Sequence, residues 1–81
     1  TNVNFRVRSD IRLKENIKHI GFSNNNIPIY KFNYIDNEIT HSGVMAQDLI
    51  KIGRSDAVTL NDDGYYSVNY NLIDVNFNTF K

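Results

Sequence analysis

Cysteine is absent from this 81-residue chain. Disulfide bracing is therefore excluded, and the redox compartment is left open. Only His19 and His41 remain as nitrogen ligands for a metal. They have no cysteine partners and no helical i, i+4 spacing, so neither a structural zinc site nor a cofactor is expected. An excess of either charge is missing too, since nine Lys and Arg balance nine Asp and Glu. That argues against electrostatic capture of nucleic acid or anionic lipid. No apolar run approaches the roughly 18 residues of a membrane span. Proline occurs once, at Pro28, whereas asparagine is abundant and clusters where turns are expected. A domain of this size buries only about 60% of its unfolded surface. With no disulfide or metal to brace it, association with copies of itself is the expected staple. Thr1 stands where an initiator methionine would, which is expected of a piece of a longer polypeptide.

Along the chain, Val3, Phe5 and Val7 alternate with polar residues and read as a strand. Ser9-Asp10 is a helix-cap pair, and Leu13, Ile17 and Ile20 fit i, i+4, i+7, which predicts a short helix ended by Gly21. Ser23–Asn26 is a loop. Ile27–Ile35 is apolar on both faces and predicts a central strand starting at Pro28. Asp36-Asn37 is a hairpin turn, and Glu38–Val44 returns as a strand with Gly43 a point of close approach. Ala46–Ile52 predicts a short helix with Leu49 and Ile52 inward and Gly53 at its end. Ala57–Leu60 and Tyr65–Tyr70 form a hairpin across Asn61-Asp62-Asp63-Gly64. Ile73, Phe77 and Phe80 predict the first turns of an amphipathic C-terminal helix. The fold class expected is α+β, built from small antiparallel hairpins and short helices.

Chemistry is best sought between Ser9 and Ile17. Ser23, Ser42, the histidines and several aspartates could be combined into a Ser-His-Asp set, but no spacing selects one and there is no Gly-x-Ser-x-Gly elbow. Asp62-Asp63 is a solvated hairpin tip rather than a calcium loop. The five tyrosines, Tyr30, Tyr34, Tyr65, Tyr66 and Tyr70, fit core or interface packing better than base or sugar stacking. Ser9 and Lys14 differ from these. A lysine can serve a serine as general base once it has lost its proton, which it ordinarily holds to a pH of roughly 10.4. Burial or a second cation lowers that value. Ile11, Leu13 and Ile17 offer burial, and Arg12 offers cationic company. On spacing alone, a Ser-Asp cap followed by a solvated Lys-Glu turn explains the segment equally well.

The stretch Ser9-Asp10-Ile11-Arg12-Leu13-Lys14-Glu15-Asn16-Ile17 resembles the Ser-Asp-x-Arg-x-Lys-x-Asn-Ile signature of the intramolecular chaperone auto-processing domain. That domain ends phage tailspikes, tail fibres and neck appendages, endosialidases among them, and has a relative in the myelin regulatory factor. Gly43-Val44-Met45-Ala46-Gln47-Asp48-Leu49 is similar to the family's Gly-x-x-Ala-Gln-Glu-hydrophobic segment. Residues Tyr66 to Ile73 are similar to its Tyr-x-Val-x-Tyr-x-x-Leu-Ile segment. The resemblance implies a homotrimeric module that helps an upstream β-rich fibre segment of the same polypeptide to fold, and then cuts itself away. It places the scissile bond between Arg8 and Ser9, with Ser9 as nucleophile and Lys14 as base. Asp10, Arg12 and Asn16 would support the motif, Asp10 by capping the next turn and Arg12 by holding a carboxylate or depressing Lys14.

On this reading residues 1–8 are the last strand of the fibre and residues 9–81 are the chaperone. The setting is a virion tail fibre or appendage precursor assembled in the host cytoplasm. Burial of Lys14 is expected to need the trimer, which would couple cutting to assembly. The competing expectations are a trimerisation cap that does not cleave and a receptor-binding tip with its tyrosines on the surface.

Overall fold

The structure, a computed structural model, describes residues 6–80. Its elements run β1 (Arg6–Arg8), β2 (Lys14–Phe22), β3 (Pro28–Tyr34), β4 (Thr40–Gly43), α1 (Ala46–Lys51), β5 (Val58–Leu60), β6 (Tyr66–Asn69) and β7 (Asn78–Thr79). They form a three-stranded sheet in the order β1-β6-β5 and a four-stranded sheet in the order β2-β3-β4-β7. Every pairing in both sheets is antiparallel. Mostly antiparallel strands with one short α-helix make an α+β fold. Ile27, Val44, Ala46, Leu49, Ala57, Val68, Tyr70 and Val75 form the core, with Val7, Ile29, Ile73 and Phe77 packed on it.

Where the sequence needs an unusual backbone, local chemistry and fold agree. Asp36 turns β3 toward β4 at φ 67°, and Asn37 N–H closes that turn on the Tyr34 carbonyl at 3.0 Å. Gly64 takes φ 88° in the β5–β6 turn and Gly53 φ 84° just after α1, a region open to glycine at little cost. β3 is an inner strand of its sheet, and Phe32 on it is fully buried. Leu49 is buried as expected, but Ile52 lies at the end of α1 and is 45% exposed.

Two expected helices are strands or turns instead. After one 3₁₀ turn at Ile11–Leu13, the segment predicted as helical becomes β2. Asn16 sits at φ 55°, and the β2–β3 register shifts between Glu15 and Lys18 and again between His19 and Gly21. Such bulges spoil strict alternation, so Leu13, Ile17 and Ile20 recur with a spacing that imitates a helix. The isoleucines are not a buried face: Ile17 and Ile20 are exposed on a strand at the edge of the sheet.

The expected amphipathic C-terminal helix is also absent. Its first residues form a 3₁₀ turn, Tyr70–Leu72, capped by the Asn69 side chain. The chain then extends and adds β7 beside β4, pairing Thr79 with His41. Asn71, Asn76, Asn78 and Thr79 are weak helix formers, and Ile73 and Phe77 reach the core without a helix.

The first predicted strand falls partly on residues 1–5, outside the described residues. Its described end, β1, pairs Arg6 with Asn69, Val7 with Val68 and Arg8 with Ser67. Residues 6–8 thus complete a sheet whose other two strands lie far along the chain.

Candidate active site around Ser9 and Lys14

Between β1 and β2 the chain turns inward. Ser9 and Asp10 are completely buried and Lys14 is 5% exposed. The Ser9 backbone is clamped on both sides. Its N–H donates to the Tyr66 carbonyl at 3.2 Å, and its carbonyl accepts the Ala46 N–H at 2.9 Å, at the start of α1.

Asp10 is fully satisfied. Its carboxylate accepts five hydrogen bonds: Arg12 N–H, Nε and Nη2 at 2.9, 2.9 and 2.8 Å, Gln47 Nε2 at 2.9 Å and Tyr66 N–H at 3.0 Å. The Arg12 side-chain bonds, against the opposing effect of burial, hold its pKa below the usual carboxylate range. Asp10 caps the 3₁₀ turn through Arg12 N–H. Arg12 also donates to the Gly64 carbonyl at 2.8 Å and lies over the Tyr65 ring at 4.7 Å. Gln47 completes the clamp by accepting Ile11 N–H at 2.9 Å.

Lys14 has a different shell. Nζ donates to the Val44 carbonyl at 2.8 Å and contacts Met45 Sδ at 3.6 Å. It sits 4.0 Å from the centre of the Phe32 ring and 5.9 Å from that of Tyr34. Burial brings its pKa down to about 7, and the Asp10 charge acts in the opposite sense. The depression comes from lost water rather than from Arg12, which is engaged with Asp10. It is also complete within a single chain, which corrects the expectation that only a trimer would take Lys14 out of water.

Ser9 and Lys14 are linked through Tyr70 and Val44 rather than directly. Ser9 Oγ lies 3.3 Å from the Tyr70 hydroxyl. That hydroxyl accepts the Val44 N–H at 2.9 Å, and the Val44 carbonyl holds Lys14. Gly43 makes the approach possible, because a Cβ there would stand 2.5 Å from the Tyr70 oxygen and 3.2 Å from Phe77. On the other side of Ser9, the Tyr34 hydroxyl donates to the Arg8 carbonyl oxygen at 2.5 Å. The Arg8 guanidinium pairs with Asp63 at 2.5 Å on the exposed hairpin tip.

Asn16 stands apart from this cluster. Its left-handed backbone makes the β2 bulge, and its side chain donates to Asn33 Oδ1 at 2.7 Å. His41 stacks on Phe77 at 5.0 Å, and burial first, then Lys14, lowers its pKa. Ser23 serves a turn by accepting Ile27 N–H at 3.1 Å. No cluster of three or more metal-ligating side chains occurs among the described residues. Sequence reasoning missed the roles of Tyr34, Tyr70 and Gln47. Gln47 and Tyr70 lie in segments singled out for their motifs, but nothing in the spacing of Tyr34 connects it with Arg8.

A buried serine following an exposed strand, beside a dehydrated lysine in a small α+β domain, defines a candidate self-processing module. The chain belongs to the chaperone-of-endosialidase family, whose profile matches residues 9–59 and starts at Ser9 itself. No curated protein and no solved structure matches the chain. The family supports a chaperone role in a phage-tail context, and its profile carries a peptidase name. No helix among the described residues is long and apolar enough to cross a membrane.

Proposed function

We propose that this domain is the C-terminal intramolecular chaperone of a phage tail fibre, tailspike or appendage. It forms a homotrimer with its upstream β-rich segment and releases itself by cutting between Arg8 and Ser9. Residues 1–8 are then the last strand of the fibre and residues 9–81 the released chaperone. The observation that carries the reading is Lys14, held by burial at a pKa of about 7 and linked through Val44 and Tyr70 to a buried serine. A neutral lysine has a catalytic use at neutral pH that a solvated one lacks.

The chemistry is an N-to-O acyl shift followed by hydrolysis. Neutral Lys14 leaves the Val44 carbonyl and takes the Ser9 hydroxyl proton. Oγ bonds to the Arg8 carbonyl carbon, and the carbonyl π pair moves to its oxygen. As that pair returns, the Arg8–Ser9 C–N bond breaks and the Lys14 ammonium gives its proton to the leaving amine. Water then hydrolyses the ester, leaving an Arg8 carboxylate and restoring the Ser9 hydroxyl. Nucleophile and carbonyl belong to adjacent residues, so no substrate-binding step is required. The burial of Ser9 and Asp10 favours attack from within over cutting by an external protease.

Self-association is supported by apolar side chains that one protomer leaves in water. Ile17, Ile20 and Phe22 line β2, whose outer edge has no pairing strand among the described residues, and Ile35, Ile39 and Leu60 are exposed elsewhere. An exposed edge of this length is a ready template for another chain.

The test is the mass of the expressed chain with its upstream segment. A break between Arg8 and Ser9 that is absent from Ser9→Ala is expected, together with a three-chain mass by light scattering. An intact wild-type chain that still forms trimers removes the peptidase reading and leaves the assembly cap. The separate contacts of Ser9 Oγ and Lys14 Nζ are the observation that favours that second reading.

A further inference from the structure

We propose that Tyr34 is a catalytic residue of this reaction, supplying the hydroxyl that stabilises the oxyanion formed on the Arg8 carbonyl oxygen. The inference rests on the cleavage reading above and adds a residue to it. Its basis is the Tyr34 hydroxyl donating to the Arg8 oxygen at 2.5 Å. This oxygen gains a full charge when Ser9 Oγ adds to its carbon.

Several contacts fix that hydroxyl. Tyr34 ends β3 and pairs directly with Lys14 across the β2–β3 ladder, so one register sets both donor and base. Its ring is held edge-on by Phe32 at 5.5 Å and by His41 at 5.5 Å. Burial, and then Tyr70, raises the Tyr34 pKa, which keeps the phenol protonated as a donor must be. Arg8 is anchored on its other side by Asp63, and Ser9 by Tyr66 and Ala46. The carbonyl between them therefore has little freedom to turn away.

A neutral donor bonds an oxyanion roughly twice as strongly as a carbonyl. The hydrogen bond thus tightens in the transition state, which is what lowers a barrier. As the tetrahedral carbon collapses to the Ser9 ester, the oxygen returns to a carbonyl and the bond weakens again. The phenol keeps its proton throughout, so the proton balance remains between Ser9, Lys14 and the leaving amine. Addition of water to the ester builds charge on the same oxygen, and Tyr34 serves that step too.

The experiment follows cleavage of the full chain, with its upstream segment, over time by mass spectrometry. Tyr34→Phe keeps the ring and removes only the donor. The rate constant is expected to fall by about 100-fold, while the pH midpoint set by Lys14 stays where it is in the wild type. If Tyr34→Phe does not fold, 3-fluorotyrosine placed at position 34 alone decides the matter. It is close to tyrosine in size, and its more acidic hydroxyl is a stronger donor, so several-fold faster cleavage is expected wherever that phenol is protonated. A purely structural tyrosine would change melting without this gain. A Tyr34→Phe rate within twofold of wild type, or an unchanged rate with 3-fluorotyrosine, overturns the inference while cleavage itself stands. A wild-type chain that never cuts overturns both.

Discussion

Asp10 and Lys14 are four residues apart, both buried, and treated in opposite ways. Asp10 accepts five hydrogen bonds and remains ionised. Lys14 finds one carbonyl, a sulfur and two aromatic faces, and tends to lose its charge. Burial alone therefore does not decide ionisation; the supply of polar partners does. A charge that is paired and bonded stabilises a loop, whereas one that is only dehydrated is poised to exchange a proton. The first holds the chain at Ser9 and the second is suited to act on it.

The largest expected effect is on cleavage. Replacing Lys14 by methionine keeps the aliphatic stem and removes the base, so the precursor should remain intact in a mass spectrum taken after days. Fragment appearing at the wild-type rate would show that Lys14 is not the base.

Next comes the loss of the satisfied charge. Asp10→Ala takes the acceptor from the part-buried donors of Gln47 and Tyr66 and from the exposed Arg12, and a cost of about 1–3 kcal/mol is expected in urea unfolding. A cost below about 1 kcal/mol would mean the network contributes no more than a surface pair.

Acidity sharpens the contrast. The folded pKa of Lys14 is depressed, from 10.5 to about 7, so between these values the unfolded chain binds the extra proton. Stability should rise with pH across that window and be flat below it, where the full cost of burying the charge is present. The shift corresponds to a cost on the order of 5 kcal/mol. Unfolding of the Ser9→Ala chain should be about 3 kcal/mol more costly at pH 9 than at pH 6, the part of that window the two values span, and Ser9→Ala combined with Lys14→Met should lose the slope. Asp10, whose folded pKa is also depressed, gives a slope of the same sign at acid pH. Its stabilisation is present above the ordinary carboxylate range and disappears only as strong acid titrates the folded form. Cleavage by the wild type should rise with pH to half its plateau near 7. A rise that continues past pH 9 would place the base in water.

The smallest effect concerns the link between the two environments. Tyr70→Phe removes the hydroxyl shared by Ser9 and Val44, and about 1–2 kcal/mol of destabilisation is expected in thermal or urea melts. Gly43→Ala should cost at least as much, since its new methyl group occupies the space of that hydroxyl.

Turns, the short helix and the central strand were legible because their causes are local. Asp36, Gly53 and Gly64 adopt backbone angles that their residue types permit, and α1 lies between the extended Met45 and the left-handed Gly53. The apolar spacings of Leu13, Ile17 and Ile20, and of Ile73, Phe77 and Phe80, misled for the opposite reason. A bulged or irregular strand can copy a helical period, and the partner strands that decide between them lie elsewhere in the chain. The expected trimer requirement for burying Lys14 failed similarly, because Phe32, Val44 and Met45 already enclose it within one chain.

The sequence by itself determined the α+β class, the hairpin tips and the motif that places Ser9, Asp10, Arg12 and Lys14 within six positions. Those properties follow from residue type and near-neighbour spacing. Tertiary structure alone decided that Asp10 is saturated and Lys14 dehydrated. It also brought Tyr34 to Arg8 and Tyr70 to Ser9 across 26 and 61 residues. Hydration, and hence proton affinity, depends on atoms contributed from distant parts of the chain, and only the closed fold brings them together.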